Sequence, residues 1–240
     1  MIKPTCIIAI LALATSNTDA SSTFPADGTP QAAVASTNSA PIPWHSIGTQ
    51  ATAQYSGDGL SLSATESGAQ LTCLFQKLAG EATHDGLWLN STAPDTSKGR
   101  FCVVAMALGR TETRPHATLA STGSVRVADR AARFVRSGLV EEYSVSADGV
   151  RQDFTIAERP PGSGDLCVEL EVTGARAEPS SGGARLVLED CGRVLNYNRL
   201  RVTDVTGHEL TARLDVVSPT RLAVVVADAR ATYPVRIDPT

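Results

Sequence analysis

The sequence predicts an all-β protein, an antiparallel β-sandwich that follows a signal peptide and a flexible linker. Three observations lead there. Apolar and polar residues alternate with a period of two over many short segments, as strands with one buried face require. Gly, Pro, Asp and Ser break those segments at short, regular intervals, the pattern of strands joined by tight turns. No stretch keeps an amphipathic helical period for more than a couple of turns.

At the N-terminus, Lys3 supplies a positive charge, residues 7–14 are apolar, and Thr18-Asp19-Ala20 offers small residues to a signal peptidase. This predicts a signal peptide over residues 1–20. Its apolar run is too short to cross a bilayer, and no later stretch approaches the ~20 residues a spanning helix needs. Cys6 precedes the apolar run, where a lipid-modified cysteine would follow it. Residues 21–43 are Ser, Thr, Ala, Pro and Gly with almost no large apolar side chain. Such a segment buries too little surface to offset its ordering entropy and is expected to be a flexible linker. Globular sequence begins near Trp44. A β-rich N-terminal part is expected over residues 44–120 and a β-sandwich module over 121–240. One wide sandwich and two packed β subdomains meeting near residue 120 both fit the pattern.

The strands are expected as follows. Leu60-Ser61-Leu62-Ser63 alternates, and residues 69–76 alternate loosely through Leu71, Cys73 and Phe75. Residues 100–108 are nearly all apolar, as in a strand buried on both faces. Residues 125–127 and 134–135 are short strand candidates. Leu139, Glu141, Tyr143 and Val145 point one way, Asp148-Gly149 forms a hairpin turn, and residues 150–156 return. Leu166, Val168, Leu170 and Val172 alternate with Cys167, Glu169 and Glu171. Residues 184–188, 194–202, 209–217, 221–226 and 233–237 complete the set. Residues 222–226, apolar throughout, are expected in the middle of a sheet, because an exposed edge of that composition invites pairing with another chain.

Hydrophobic residues at 42% and charged residues at 19% are those of a globular protein. Aromatic residues are only 5%, so Val, Leu, Ile and Ala must build the core. The formal net charge of -4 gives no electrostatic case for nucleic acid. Loss of the signal peptide removes Cys6 and leaves Cys73, Cys102, Cys167 and Cys191. In an oxidising compartment these allow disulfides in any of three connectivities; local pairing would join Cys73 to Cys102 and Cys167 to Cys191. The alternative is four buried thiols packing as small hydrophobes. No C-x-x-C pair or His cluster supports a metal site.

Residues 137–240 resemble a β-rich module near the N-terminus of large exported repeat proteins of the Verrucomicrobia and Planctomycetes type, whose repeats are β-propeller-like. The resemblance rests on Gly138-Leu139-Val140-Glu141-Glu142-Tyr143, Asp148-Gly149-Val150-Arg151-Gln152-Asp153-Phe154, Arg199-Leu200-Arg201-Val202-Thr203-Asp204 and Tyr233-Pro234-Val235-Arg236-Ile237-Asp238-Pro239-Thr240. A weaker match extends through Tyr55-Ser56-Gly57-Asp58-Gly59-Leu60 and Gly80-Glu81-Ala82-Thr83-His84-Asp85-Gly86-Leu87-Trp88-Leu89. It implies an extracellular or envelope-associated module that precedes repeats, and it carries over no catalytic residue. The chain stops at Thr240, where the repeats would begin, as a truncated product, a fragment or a stand-alone relative would.

The residues themselves give little chemistry. His45, His84, His116 and His208 are scattered in turn-like sequence. His84-Asp85 are adjacent, but no Gly-x-Ser-x-Gly motif anchors a triad. Glu141 and Glu142 face opposite sides of a strand and cannot flank one glycosidic bond. Pro161-Gly162-Ser163-Gly164 lacks the Lys and helix of a phosphate loop. Asp228, Asp238 and the Asp-Gly turns do not alternate as a calcium loop does. Trp44 and Trp88 are the candidates for stacking on a ligand. The expectation is a non-catalytic extracellular or envelope β module with a structural or spacer role ahead of binding repeats. The alternative is a carbohydrate or surface-polymer binding module, and a hydrolase is a remote third. No cofactor is expected; expected partners are a surface polysaccharide or neighbouring repeat domains, with no nucleic acid and no membrane span.

Overall fold

In the computed structural model the residues described are 59–94, 96 and 99–240. The expected signal peptide and linker, and the stacking candidate Trp44, lie outside them. Every regular element among the described residues is a strand. Six come first: β1 (Leu60–Thr65), β2 (Gly68–Cys73), β3 (Leu78–Thr83), β4 (Gly86–Ser91), β5 (Arg100–Arg110) and β6 (Thr113–Thr118). Then follow β7 (Ser124–Ala128), β8 (Ala131–Arg136), β9 (Leu139–Ser146) and β10 (Gly149–Ile156). The C-terminal part holds β11 (Leu166–Thr173), β12 (Ala175–Ser180), β13 (Gly183–Leu188), β14 (Val194–Tyr197), β15 (Arg201–Asp204), β16 (Ala212–Ser218), β17 (Arg221–Val226) and β18 (Val235–Asp238).

These strands form three antiparallel sheets. The largest runs β1-β2-β3-β4-β5-β11-β17-β16, with β6 also paired to β5. The second runs β15-β18-β10-β9-β8-β7 and the third β12-β13-β14. The largest sheet crosses residue 120, because β11 pairs with β5 along Cys102 to Arg110. Strand β17, with Leu222 to Val226 buried, lies between β11 and β16 as its apolar run predicts.

The apolar faces of the sheets meet in a sandwich. Phe101, Val103, Leu166, Val168 and Leu170 of the largest sheet pack with Leu139, Phe154, Ile156 and Ile237 of the second and Leu186 and Tyr197 of the third. Toward β1, a second cluster joins Ala69, Leu71, Ala82 and Leu87 to Ala132, Phe134 and Tyr143. Gly174, between β11 and β12, sits at φ 72° with the Arg100 carbonyl 2.0 Å from where a Cβ would be, so only glycine fits.

Several expectations need correcting. Strand β2 ends at Cys73, and Phe75 lies exposed in the following turn instead of continuing the buried face. Residues 194–202 are not one strand. They divide at residues 198–200 into β14 and β15, which belong to different sheets. His116 is not in a turn: it lies on β6, buried, with Nε2 3.1 Å from the Arg110 carbonyl oxygen and Nδ1 2.8 Å from Glu169 Oε1.

One opposed feature is the edge of β5. Since β11 occupies one side along Cys102 to Arg110, β4 and β6 share the other, β4 at residues 100–102 and β6 from Ala107 to Arg110. The register against β11 steps from Ala107 to Ala105 and leaves Met106 as a bulge. Residues 103–105 therefore have no strand on the β4 and β6 side among the described residues.

At the end of β15, Asp204 folds the next turn onto itself. Its Oδ1 accepts hydrogen bonds from the Thr206 hydroxyl at 2.6 Å, the Thr206 N–H at 2.9 Å and the His208 N–H at 3.0 Å. Its Oδ2 accepts the Thr232 N–H at 3.1 Å, tying the β17–β18 loop to the same point. These donors, the Thr206 hydroxyl foremost, hold the Asp204 carboxyl down to about 2. The unfolded value is about 3.9. The stabilisation is therefore complete above the unfolded value and is lost as pH falls toward 2. Urea midpoints measured from pH 5 to pH 2 should fall less steeply for Asp204→Asn than for the parent chain; equal slopes would contradict this.

Candidate functional site

The gap in the edge of β5 is filled by side chains from the second sheet. Period-two geometry places Leu139, Glu141 and Tyr143 of β9 on one face, and that face is the buried one. Glu141 is therefore carried into the sandwich, with none of its surface exposed. Glu142, its neighbour, points outward to Arg133 at 2.6 Å and Arg236 at 3.0 Å.

Every oxygen of the Glu141 carboxylate has donors. Oε1 accepts from the Ala105 N–H at 3.1 Å and from Arg136 Nη2. Oε2 accepts from Gln152 Nε2 at 2.7 Å and the Tyr143 hydroxyl at 3.0 Å. The same donors close the rest of the gap. Arg136 Nη1 donates to the carbonyls of Ala105 at 2.7 Å and Ala120 at 3.1 Å, and Gln152 Nε2 donates to the Val103 carbonyl at 2.9 Å. The Tyr197 hydroxyl of β14 donates to Gln152 Oε1 at 3.0 Å, so the network reaches the third sheet. The Arg136 guanidinium lies over the Phe134 ring, 4.6 Å from its centroid.

Burial pushes the Glu141 carboxyl above its ordinary range, and Arg136, Gln152, Ala105 and Tyr143 pull it back. Burial likewise raises the Tyr143 and Tyr197 hydroxyls well above theirs. The network contains an acid, a cation and two phenols, the ingredients of acid–base chemistry. All of them are turned toward backbone or toward each other in the interior. A second buried ion pair is built the same way. Arg110 Nη1 meets Asp228 Oδ1 at 2.7 Å, and Asp228 also accepts the Tyr233 hydroxyl at 2.6 Å and the Leu166 N–H at 3.3 Å.

Trp88, the stacking candidate, lies half-buried on β4 in a shallow groove of about 380 Å³. Ser67, Glu81, His84 and Asp85 share the groove, and the Arg100 guanidinium covers the indole at 5.0 Å from its centroid. The Thr83 hydroxyl, which donates to Asp85, is the main cause holding that carboxyl below its ordinary range. His84 and Asp85 are thus brought together with Trp88, while His116 and His208 lie elsewhere.

Among the described residues Cys73, Cys102, Cys167 and Cys191 are free thiols, three of them buried. Cys73 on β2 and Cys102 on β5 are separated by β3 and β4, or three strand steps of ~4.8 Å each, beyond the ~7 Å Cα separation a disulfide spans. Burial pushes the Cys102 thiol up to about 12 and the Cys167 thiol up to about 11. Neither is a thiolate at neutral pH, as a nucleophile would be. No group of three or more His, Cys, Asp or Glu side chains is placed to hold a metal ion among the described residues.

A larger cleft of about 600 Å³ opens beside the network. Leu78, Leu87, Phe101, Val103 and Leu186 give it an apolar floor, and Gln152 and Tyr197 also line it. No sequence signal pointed to it, because its lining comes from seven separated segments. No family model, no curated protein and no solved structure matches this chain.

Removing one partner of the buried pair leaves the other charged and unpaired. Arg136→Met and Glu141→Leu should each destabilise the fold by about 3–5 kcal/mol. The double variant should cost clearly less than the sum of the two, because no lone charge remains. Urea unfolding of the four proteins checks this, and strict additivity would show that the pair is not coupled.

Proposed function

We propose that this chain is a non-catalytic structural β module of an exported protein, a spacer that holds binding repeats at the cell envelope. The observation that carries the reading is the use made of Glu141 and Arg136. Both oxygens of Glu141 and both terminal nitrogens of Arg136 are taken by backbone and by neighbouring side chains, and the pair's work is to join sheets. Arg110 and Asp228 are likewise engaged inward, by the Pro160 carbonyl, the Leu166 N–H and the Tyr233 hydroxyl. The N-terminal features expected of a signal peptide support export, and the resemblance of residues 137–240 to modules that precede repeats supports the spacer role.

A second reading is favoured by the Trp88 groove. A half-buried indole among Glu81, Asp85 and Ser67 offers an apolar face beside hydrogen-bonding groups, which is how proteins grip sugar rings. Arg100 occupies that face, so a sugar would have to displace it.

One screen separates these readings. The full chain is tested on a polysaccharide and glycan array, and on generic ester, glycoside and peptide substrates. The spacer reading expects neither saturable glycan binding nor turnover. Saturable binding lost in Trp88→Ala would replace it with the carbohydrate-binding reading, and turnover lost in His84→Ala would replace it with a hydrolase.

A further inference from the structure

The 600 Å³ cleft is bounded by the edges of two strands, and this distinguishes it from a pocket between sheet faces. A strand presenting a face lines a cavity with alternate residues. Here four consecutive residues of β10, 149–152, and all four of β14, 194–197, line it.

Both edges lack a strand there among the described residues. β14 ends its sheet, and β18 covers β10 only from Phe154 to Ile156. On β14, the Leu188 N–H donates to the Arg193 carbonyl at 2.8 Å, so Arg193, Leu195 and Tyr197 direct their backbone groups to β13. Val194 and Asn196 direct theirs into the cleft. On β10 the Gln152 N–H points to the cleft side, where it meets the Thr240 hydroxyl at 3.2 Å, and Val150 shares that direction. Under the cleft, Tyr197 and Gln152 meet end to end at 3.0 Å.

The rim is basic. Arg151, Arg193 and Arg199 line the cleft against one carboxylate, Asp148. Asp148 lies 3.4 Å from Arg199, both exposed, and Arg151 is engaged by Asp153 and Asp238. Arg193 donates only to neutral oxygens: the Lys77 carbonyl at 2.8 Å, the Ser91 hydroxyl at 2.9 Å and the Gln76 carbonyl at 2.5 Å. Its charge meets no carboxylate among the described residues. An apolar floor, open strand edges and a cationic rim together describe a receptor for an extended backbone with apolar side chains facing down and acidic ones facing the rim.

We propose that the cleft between β10 and β14 binds an extended acidic peptide of another polypeptide, which adds as a strand to the β14 edge. About four to five residues fit, at ~3.3 Å per residue along β14. The Val194 and Asn196 backbone groups supply affinity, the floor takes alternate apolar side chains, and Arg193 and Arg199 select for carboxylates.

The probe is a fluorescein-labelled octapeptide of alternating Val and Glu with blocked ends, titrated into the full chain by fluorescence anisotropy. Saturable one-to-one binding is expected, weakened about ten-fold or more when Lys replaces Glu in the peptide or in Arg199→Glu. Asn196→Pro removes a cleft-facing N–H that makes no bond to β13, so its urea midpoint should hold while binding falls by a similar factor. N-methylation of alternate peptide nitrogens should abolish binding, an arm that needs no variant of the chain. In the free chain the Val194 and Asn196 amides should exchange quickly with solvent and slow when the peptide is added. The proposal fails if the octapeptide does not saturate the chain or if N-methylation leaves binding unchanged. Slow exchange of those amides in the free chain would mean that the edge is already paired and would also overturn it.

Discussion

The buried ion pair of Arg136 and Glu141 stands where the largest sheet is incomplete, and the joining of the sheets depends on it. β5 is the longest strand and the hub of that sheet, yet β4 and β6 leave residues 103–105 uncovered on one side. Bare N–H and C=O groups in a dry interior each cost on the order of 1–3 kcal/mol. Among the described residues no third strand covers them. The side chains of Arg136, Glu141 and Gln152 act in its place, taking the Ala105 N–H, the Ala105 carbonyl and the Val103 carbonyl. Because those side chains come from β8, β9 and β10, satisfying β5 also locks the second sheet to the first. Tyr197 extends the lock to the third sheet through Gln152.

The choice of arginine has a physical reason. A planar guanidinium donates in several fixed directions at once, and Arg136 uses them on Glu141 and two carbonyls. A lysine at that position has one point charge and cannot hold the same geometry. Arg110 repeats the design at the other end of β5, reaching Asp228 and the Pro160 carbonyl. The core of this protein is poor in aromatic residues, and buried polar joints of this kind supply directionality that branched aliphatic packing lacks.

Much of the fold can be read from the sequence, for reasons that also explain the failures. The alternation of Leu139, Glu141, Tyr143 and Val145 places all four on one face, and an acid among apolar residues on a buried face marks a polar joint. Its partners carry no such mark. Arg136 closes one strand and Gln152 lies on another, and only the register between β8, β9 and β10 brings them to Glu141. Residues 194–202 read as a single strand because pattern is blind to a strand that leaves one sheet and enters the next. β6 is hidden by Pro115, which an edge strand tolerates and a central one does not. Phe75 continues the β2 alternation in sequence, but the chain turns at Leu74 to Lys77 before it can be buried. His84-Asp85 and Trp88 are each visible in the sequence as candidates, but only the β3–β4 hairpin and the Arg100 side chain bring them into one groove, whereas the β10–β14 cleft arises from topology alone.

The buried Arg136–Glu141 pair holds sheets together, and recognition is left to the surface and its clefts. Side chains substitute for a missing strand at residues 103–105. Native-state amide exchange at Ala105 tests this most directly. In the parent chain the Ala105 amide should exchange only through global unfolding, as slowly as the strand-paired amides of Val168 and Val224. In Glu141→Leu it should exchange through a local opening while those two amides still follow the global stability. An Ala105 amide that exchanges quickly in the parent chain, or that still tracks global unfolding in Glu141→Leu, would contradict the account.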